Sequence, residues 1–286
     1  MDTIFRGMVQ CMNEKRWVDF PKYFSSPYAK NGQQFTAETH AAQLQTVGDF
    51  ELTVDAITVD GVSQQCVAAN VIAKFHPSKD FLGKEPEGKV LVFSEQSFNW
   101  YTGNKLSKTL LLADHDAMQR QLSETSQPGH IADLISAHRG IGKKKVPARE
   151  LEQIYRAYIG CINAQTMTTD LPRFCHSQVV HNAKTLSTDE YRLLIEEAFD
   201  AVPDITFDLA IVVADEETQR VAARIEFTGT PVGVMAGAVP NGQSVKFCEH
   251  VTYAFDDGKI ARVWSLVDWT SYRQQLLGGS QRTEDA

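Results

Sequence analysis

Apolar residues recur at helical spacing in two distant parts of the chain. Ile4, Phe5, Met8, Val9 and Met12 fall on one stripe, and Ile154, Tyr155, Tyr158, Ile159 and Ile162 fall on another. Each stripe predicts an amphipathic helix. A proline, Pro21 or Pro172, then breaks the helix, and a short second helix leads toward Phe24 or Phe174. Ser187-Thr188-Asp189-Glu190 reads as a helix start, with Ser187 as cap and Glu190 completing a capping box. The helix that follows, Tyr191 to Phe199, stops before Pro203.

Beyond it the pattern changes to strands. Ile205 to Val213 alternates, and Val221 to Thr228 follows an acidic turn at Asp215-Glu216-Glu217. Ser244 to Phe255 and Ile260 to Val267 flank Asp256-Asp257-Gly258-Lys259, a hairpin signal of the Asp-Gly type. Tyr272 to Leu277 closes as a short helix. Helices followed by a meander predict an α+β fold, a curved antiparallel sheet packed against N-terminal helices. Such a cone leaves an apolar pocket suited to a small ligand.

The pattern occurs twice. Ile4-Phe5-Arg6 answers Ile154-Tyr155-Arg156, and Cys11-Met12-Asn13 answers Cys161-Ile162-Asn163. Asp19-Phe20-Pro21-Lys22 matches Asp170-Leu171-Pro172-Arg173, Asn31 matches Asn182, and Thr36 matches Ser187. From Pro77 to Leu122 the first copy runs without a gap against Pro231 to Leu276. Gly83, Phe93, Glu95, Lys105, Asp114 and Gln121 recur there as Gly237, Phe247, Glu249, Lys259, Asp268 and Gln275. A shared register of this length predicts a tandem duplication. Residues 1–122 and 151–278 form the two cone-shaped domains. Residues 123–150, rich in Ser, Gly, Pro, His and Lys, form a linker with a helical turn or two at Ile131 to Ile135, and 279–286 form a polar tail. The two copies are expected to pack through their sheets as an intramolecular pseudo-dimer, which leaves room for further homo-oligomerisation.

Composition narrows the partners. The chain has 286 residues, 43% of them hydrophobic, with 28 basic and 36 acidic side chains. Lys143-Lys144-Lys145 is its one basic block, so nucleic acid is not an expected partner. No run of about 18 apolar residues is present, which argues against a spanning helix, and Met1 to Met12 lacks a secretory h-region. Cys11, Cys66, Cys161, Cys175 and Cys248 show no CxxC or metal-ligand spacing, and free thiols in a cytoplasmic protein are expected. The eight histidines form no HxH or HExxH pair, and no glycine-rich phosphate loop occurs. No metal and no cofactor are therefore expected.

Val180-His181-Asn182 before a capped helix, Thr228-Gly229-Thr230 through Pro240-Asn241-Gly242, and Phe255-Asp256-Asp257-Gly258-Lys259-Ile260 leading to Trp264, Asp268 and Gln275-Leu276-Leu277-Gly278 together resemble the SnoaL-like polyketide cyclase family within the nuclear-transport-factor-2-like superfold. The likeness covers nearly all of 151–278 and, more weakly, 3–122. It implies a cofactor-independent cyclase or isomerase of secondary metabolism, acting on a hydrophobic polyketide- or terpenoid-like intermediate. The means is carboxylate acid/base catalysis or shape-directed, pericyclic ring closure. A non-catalytic binding or assembly module of the same fold is the alternative, since the superfold hosts both.

The resemblance puts Asp268 where the family's cyclases place an acid/base carboxylate, and burial there would raise its pKa. The same position also suits a cap on the closing helix, which Thr270-Ser271-Tyr272 begins. Asp114 matches Asp268 in the first copy. Glu249 matches Glu95 on the penultimate strand. His250 is its neighbour, so only one of Glu249 and His250 should enter the cavity. His181, with Lys30 in its place in the first copy, and Asn182, matched by Asn31, border the pocket mouth. Tyr155, Tyr158, Phe199, Tyr253 and Trp264 could line the cone or simply pack its core. Because it keeps His181 and His250, the second copy is expected to be the working one.

Overall fold

The computed structural model describes residues 1–63, 65–78, 81–86, 88–123 and 144–277. They form two compact units, one on each side of residues 124–143. The expected helical turn at 131–135 and the expected polar tail at 279–286 lie outside the described residues.

In the first domain, α1 (Asp2–Asn13) and the single turn α2 (Phe20–Tyr23) lead into β1 (Phe24–Lys30), β2 (Gln33–Phe35) and α3 (Ala37–Val47). The meander follows as β3 (Gly48–Val59), β4 (Cys66–Pro77), β5 (Leu91–Thr102) and β6 (Lys105–Ala113), and α4 (His115–Ser123) closes the domain. The second domain repeats the order with α5 (Ala148–Asn163), α6 (Met167–Phe174), β7 (Cys175–His181), β8 (Lys184–Ser187) and α7 (Thr188–Ala201). It continues with β9 (Thr206–Asp215), β10 (Arg220–Gly229), β11 (Val245–Asp256), β12 (Lys259–Val267) and α8 (Trp269–Leu277). Pro172 does not break the chain there; it sits within the closing turns of α6.

Each domain is α+β with one six-stranded sheet, ordered β2-β1-β6-β5-β4-β3 and β8-β7-β12-β11-β10-β9. Neither sheet is purely antiparallel, because β1 runs parallel to β6 and β7 parallel to β12. The sheets are not closed, and the helices cover the concave face. Leu151, Tyr155, Tyr158, Ile159 and Ile162 of α5 are buried, as the stripe requires. Ser187 caps α7 in a full capping box, with the Glu190 carboxylate accepting from the Ser187 amide at 2.7 Å. Asp257 and Gly258 both take positive φ, as the Asp-Gly turn demands.

The amides that recur between the halves have one structural use. Asn13 and Asn163, at the ends of α1 and α5, each donate to and accept from the backbone of an edge strand, at Leu52 and Phe207. Asn31 donates to and accepts from the backbone of Leu111 on β6, and Asn182 that of Ser265 on β12. Gln121 and Gln275 do so with Val92 and Lys246. Each side-chain amide stands in for a missing strand, offering one donor and one acceptor. Within the segment expected to be linker, Val146 is fully buried and exchanges two hydrogen bonds with the Gln219 amide of the second domain. All five cysteines are free and buried, and no described helix is long and apolar enough to cross a membrane.

Candidate active site

Strand register decides which side chains share the concave face of the first sheet. Lys30 on β1 lies beside Thr109, Thr109 pairs with Asn99, and Ser97 and Glu95 follow Asn99 at alternate positions of β5. Period-two alternation puts all five on one face. That face floors a cavity of about 370 Å³, walled mainly by apolar side chains such as Phe5, Met8, Phe24, Leu44 and Met118. Along the floor Thr109 Oγ1 donates to Asn99 Oδ1 at 2.9 Å, and Asn99 Nδ2 donates to Ser97 Oγ at 2.9 Å.

The charged groups of this cavity are exceptional for such surroundings. Burial raises the Glu95 carboxyl, opposed by the charge of Lys30. Burial lowers the Lys30 ammonium, opposed by Glu95. The two thus sense each other without forming an ion pair within 4.0 Å. His40 of α3 completes the set. Its ring lies among Phe20, Phe24, Tyr28 and Phe35, with centroids 5.3 to 5.9 Å away. Neither of its nitrogens has a hydrogen-bond partner, and the Tyr28 hydroxyl is equally unsatisfied. Burial, helped by the Lys30 charge, pulls His40 down to about 3, so it is a neutral imidazole. Unsatisfied polar atoms on a cavity wall are ready to meet a ligand.

The second domain fills the same interior differently. Tyr155, Tyr158, Tyr191 and Tyr253 stand where the first domain has Phe5, Met8, His40 and Asn99. Tyr155 packs on Tyr253 at 4.9 Å, and the Tyr158 and Tyr191 hydroxyls are 2.7 Å apart. Burial raises all four phenols well above their ordinary value. Glu249 is buried among them and accepts a short hydrogen bond from the Ser265 hydroxyl. Burial pushes its carboxyl up to about 7, against the lowering effect of Ser265. His181 lies 5.9 Å from the Tyr191 ring, and burial, with Lys184 nearby, brings it down to about 4.

The raised Glu249 carboxyl has a pH signature. It is protonated in both folded and unfolded chains below about 4.5, whereas between about 4.5 and 7 only the unfolded chain ionises. Stability of the second domain should therefore fall across that window, by on the order of 3 kcal/mol, and level off above it. Glu249→Gln should flatten the dependence in denaturant titrations followed by hydrogen exchange of β11. An unchanged pH profile in the variant would show that Glu249 titrates normally.

The other expected residues lie elsewhere. Strand alternation turns His250 to the opposite sheet face from Glu249. There its Nε2 lies 2.9 Å from Arg224 Nη1, a guanidinium nitrogen that can only donate. Trp264 shares that opposite face, with the guanidiniums of Arg262 and Arg220 5.0 and 5.4 Å from its ring. Phe199 stacks on Phe207. Asn182 and Asn31 sit at exposed hairpin turns, their amides engaged with the last strand.

Asp268 and Asp114 stand at the starts of the closing helices. Asp268 accepts from the Ser271 amide and hydroxyl at 3.0 and 2.6 Å, and Asp114 accepts from the Ala117 amide at 2.8 Å. Asp268→Ala should therefore cost about 1 kcal/mol, with Asp268→Asn largely sparing stability. Thermal unfolding of the two variants separates a cap from a group that is indifferent.

Nothing local in the sequence marks Lys30 and His40 as pocket groups. Aligned by the shared cap, they occupy the repeat positions of His181 and Tyr191, so the two linings differ there in residue type. Among the described residues, no three His, Cys, Asp or Glu side chains are grouped to hold a metal ion.

Residues 152–276 match the model of the SnoaL-like polyketide cyclase family. A SnoaL-like polyketide cyclase from Agrobacterium tumefaciens is 38% identical, over 44% of this chain and 97% of that chain, with a TM-score of 0.41. TsrD from Streptomyces laurentii is 20% identical, over 47% of this chain and 98% of that chain, with a TM-score of 0.42. No curated protein matches the chain. The chain belongs to the SnoaL-like polyketide cyclase family, and the family match that assigns it lies in its second domain.

Proposed function

We propose that this protein is a cofactor-independent cyclase or isomerase that moves a proton on a hydrophobic, polyketide- or terpenoid-like carbon skeleton. Its working chamber is the first domain, and Glu95 is the acid/base group. The observation that carries this reading is the placement of Glu95 on the floor of a roughly 370 Å³, mainly apolar cavity. A carboxyl raised by burial holds and releases a proton closer to neutral pH than an exposed one, which suits it to C–H abstraction and return. The apolar walls bind the skeleton and exclude water, while Ser97, Asn99 and neutral His40 offer hydrogen bonds to its oxygens.

The experiment needs no natural substrate. In deuterated buffer, the protein should accelerate uptake of deuterium next to the carbonyl of 2-tetralone, an apolar bicyclic ketone small enough for the cavity. Exhaustive EDTA treatment should leave the rate unchanged. Exchange no faster than in buffer would overturn the reading, and loss of exchange restored by a divalent metal would refute its cofactor-free form.

A further inference from the structure

One cavity group has no part in proton transfer by Glu95 alone. Lys30 projects from β1 over the sheet floor and lines the same chamber as Glu95. It makes no hydrogen bond or ion pair within 4.0 Å, although an opposite charge shares the space. A lysine kept only for structure would be expected to close on that glutamate or to extend to solvent, because an unpaired buried ammonium is costly. The chamber instead holds an amine and a carboxyl in one lining without an ion pair between them.

We propose that Lys30 is a catalytic nucleophile that binds a ketone or aldehyde substrate as a Schiff base, so that the substrate class is a carbonyl compound activated as an iminium and enamine. This rests on the reading of Glu95 as the chamber's proton carrier. The neutral Lys30 amine attacks the carbonyl carbon to give a carbinolamine. Glu95 supplies the proton with which the hydroxyl leaves as water, and a protonated imine forms. The Glu95 carboxylate then removes the neighbouring C–H proton, and the electron pair moves into the C=C bond of an enamine. That carbon bonds to a second electrophilic carbonyl carbon of the same molecule, whose oxygen takes the proton, or it is reprotonated. Addition of one water to the protonated imine frees the product and the neutral Lys30 amine and returns the proton to Glu95, balancing the water and the proton spent earlier. Burial supports the first step, because it favours the uncharged amine that attacks carbonyls. The second domain has His181 at this position and cannot follow this route.

The test treats the full chain with 2-tetralone and cyanoborohydride, which reduces an imine to a stable secondary amine, and locates the adduct by peptide mass spectrometry. Lys30 should be labelled about tenfold or more faster than any other lysine. Lys30→Met and Lys30→Arg should both lose that label and most of the deuterium exchange. The methionine variant removes an ionisable group from an apolar wall, and the arginine variant keeps the charge but forms no imine. Glu95→Gln should still accumulate the Lys30 adduct over hours while losing exchange. Absence of a preferential Lys30 adduct, or wild-type exchange in Lys30→Arg, overturns the Schiff-base proposal. If exchange in either case still depends on Glu95, the base reading stands without it. Labelling at Lys30 with no catalysed exchange at all supports the nucleophile and defeats the base.

Discussion

Glu95→Gln is expected to slow ketone deuterium exchange, and any ring closure the protein performs, by about 10²–10⁴-fold, the usual cost of removing a general acid/base. The amide keeps the size and planarity of the carboxyl but cannot accept a proton from carbon. The variant should fold normally, since it removes an ionisable group from a chamber whose burial already disfavours its charge. Glu249→Gln is the matched control at the same repeat position. Its carboxyl is engaged by Ser265 and is not among the groups that line the described cavity, so the loss of exchange should be far smaller. Circular dichroism and exchange rates of both variants check the expectation. If both keep wild-type rates, carboxylate catalysis is wrong, and shape-directed ring closure or ligand binding without chemistry takes its place.

The largest stability effect is expected at Gly48, where α3 passes into β3 with no intervening loop. Gly48 has φ +133°, a region that side chains avoid. A Cβ there would overlap the His76 carbonyl oxygen and lie 2.9 Å from the Ser78 nitrogen, both of them backbone atoms that cannot swing aside. Gly48→Ala should cost about 3–5 kcal/mol, at the top of the range for single substitutions. Gly160, within α5, is the control: nothing lies within 4 Å of its would-be Cβ, so Gly160→Ala should gain about 0.5–1 kcal/mol. Hydrogen exchange along β3 and β4 measures the first effect, and exchange along α5 the second. Retained protection of β3 and β4 in Gly48→Ala would mean that the helix-to-strand passage can shift to make room.

What the sequence made legible was local or repeated. The α5 stripe, the Ser187–Glu190 box and the Asp257–Gly258 turn each depend on residues within a few positions of one another, and each was found where expected. The β1–β2 and β7–β8 hairpins were not anticipated, although Asn31-Gly32 carries the positive-φ turn signal, because a three- or four-residue partner strand shows too little periodicity. The parallel pairing of β1 with β6 joins segments about 80 residues apart and leaves no local trace. The site was harder still. Comparing the halves rewards identity, and the identical polar residues Asn13, Asn31, Asp114 and Gln121 turned out to hold helices and turns to the sheet. The proposed chemistry lies where the halves differ, at Lys30 and His40, or where a shared glutamate meets different neighbours, as at Glu95 and Glu249.

Carrying two differently lined domains on one polypeptide has a consequence for how the protein can change. In a homodimer of single-domain chains every substitution is imposed on both interiors at once, so neither can specialise without the other. Covalent duplication uncouples them. The lysine-bearing interior and the tyrosine-filled interior are always made one to one, and each can be remodelled while the other stays intact. The lining of one half could therefore be exchanged by altering a handful of residues, with the amide fastenings of both halves left untouched.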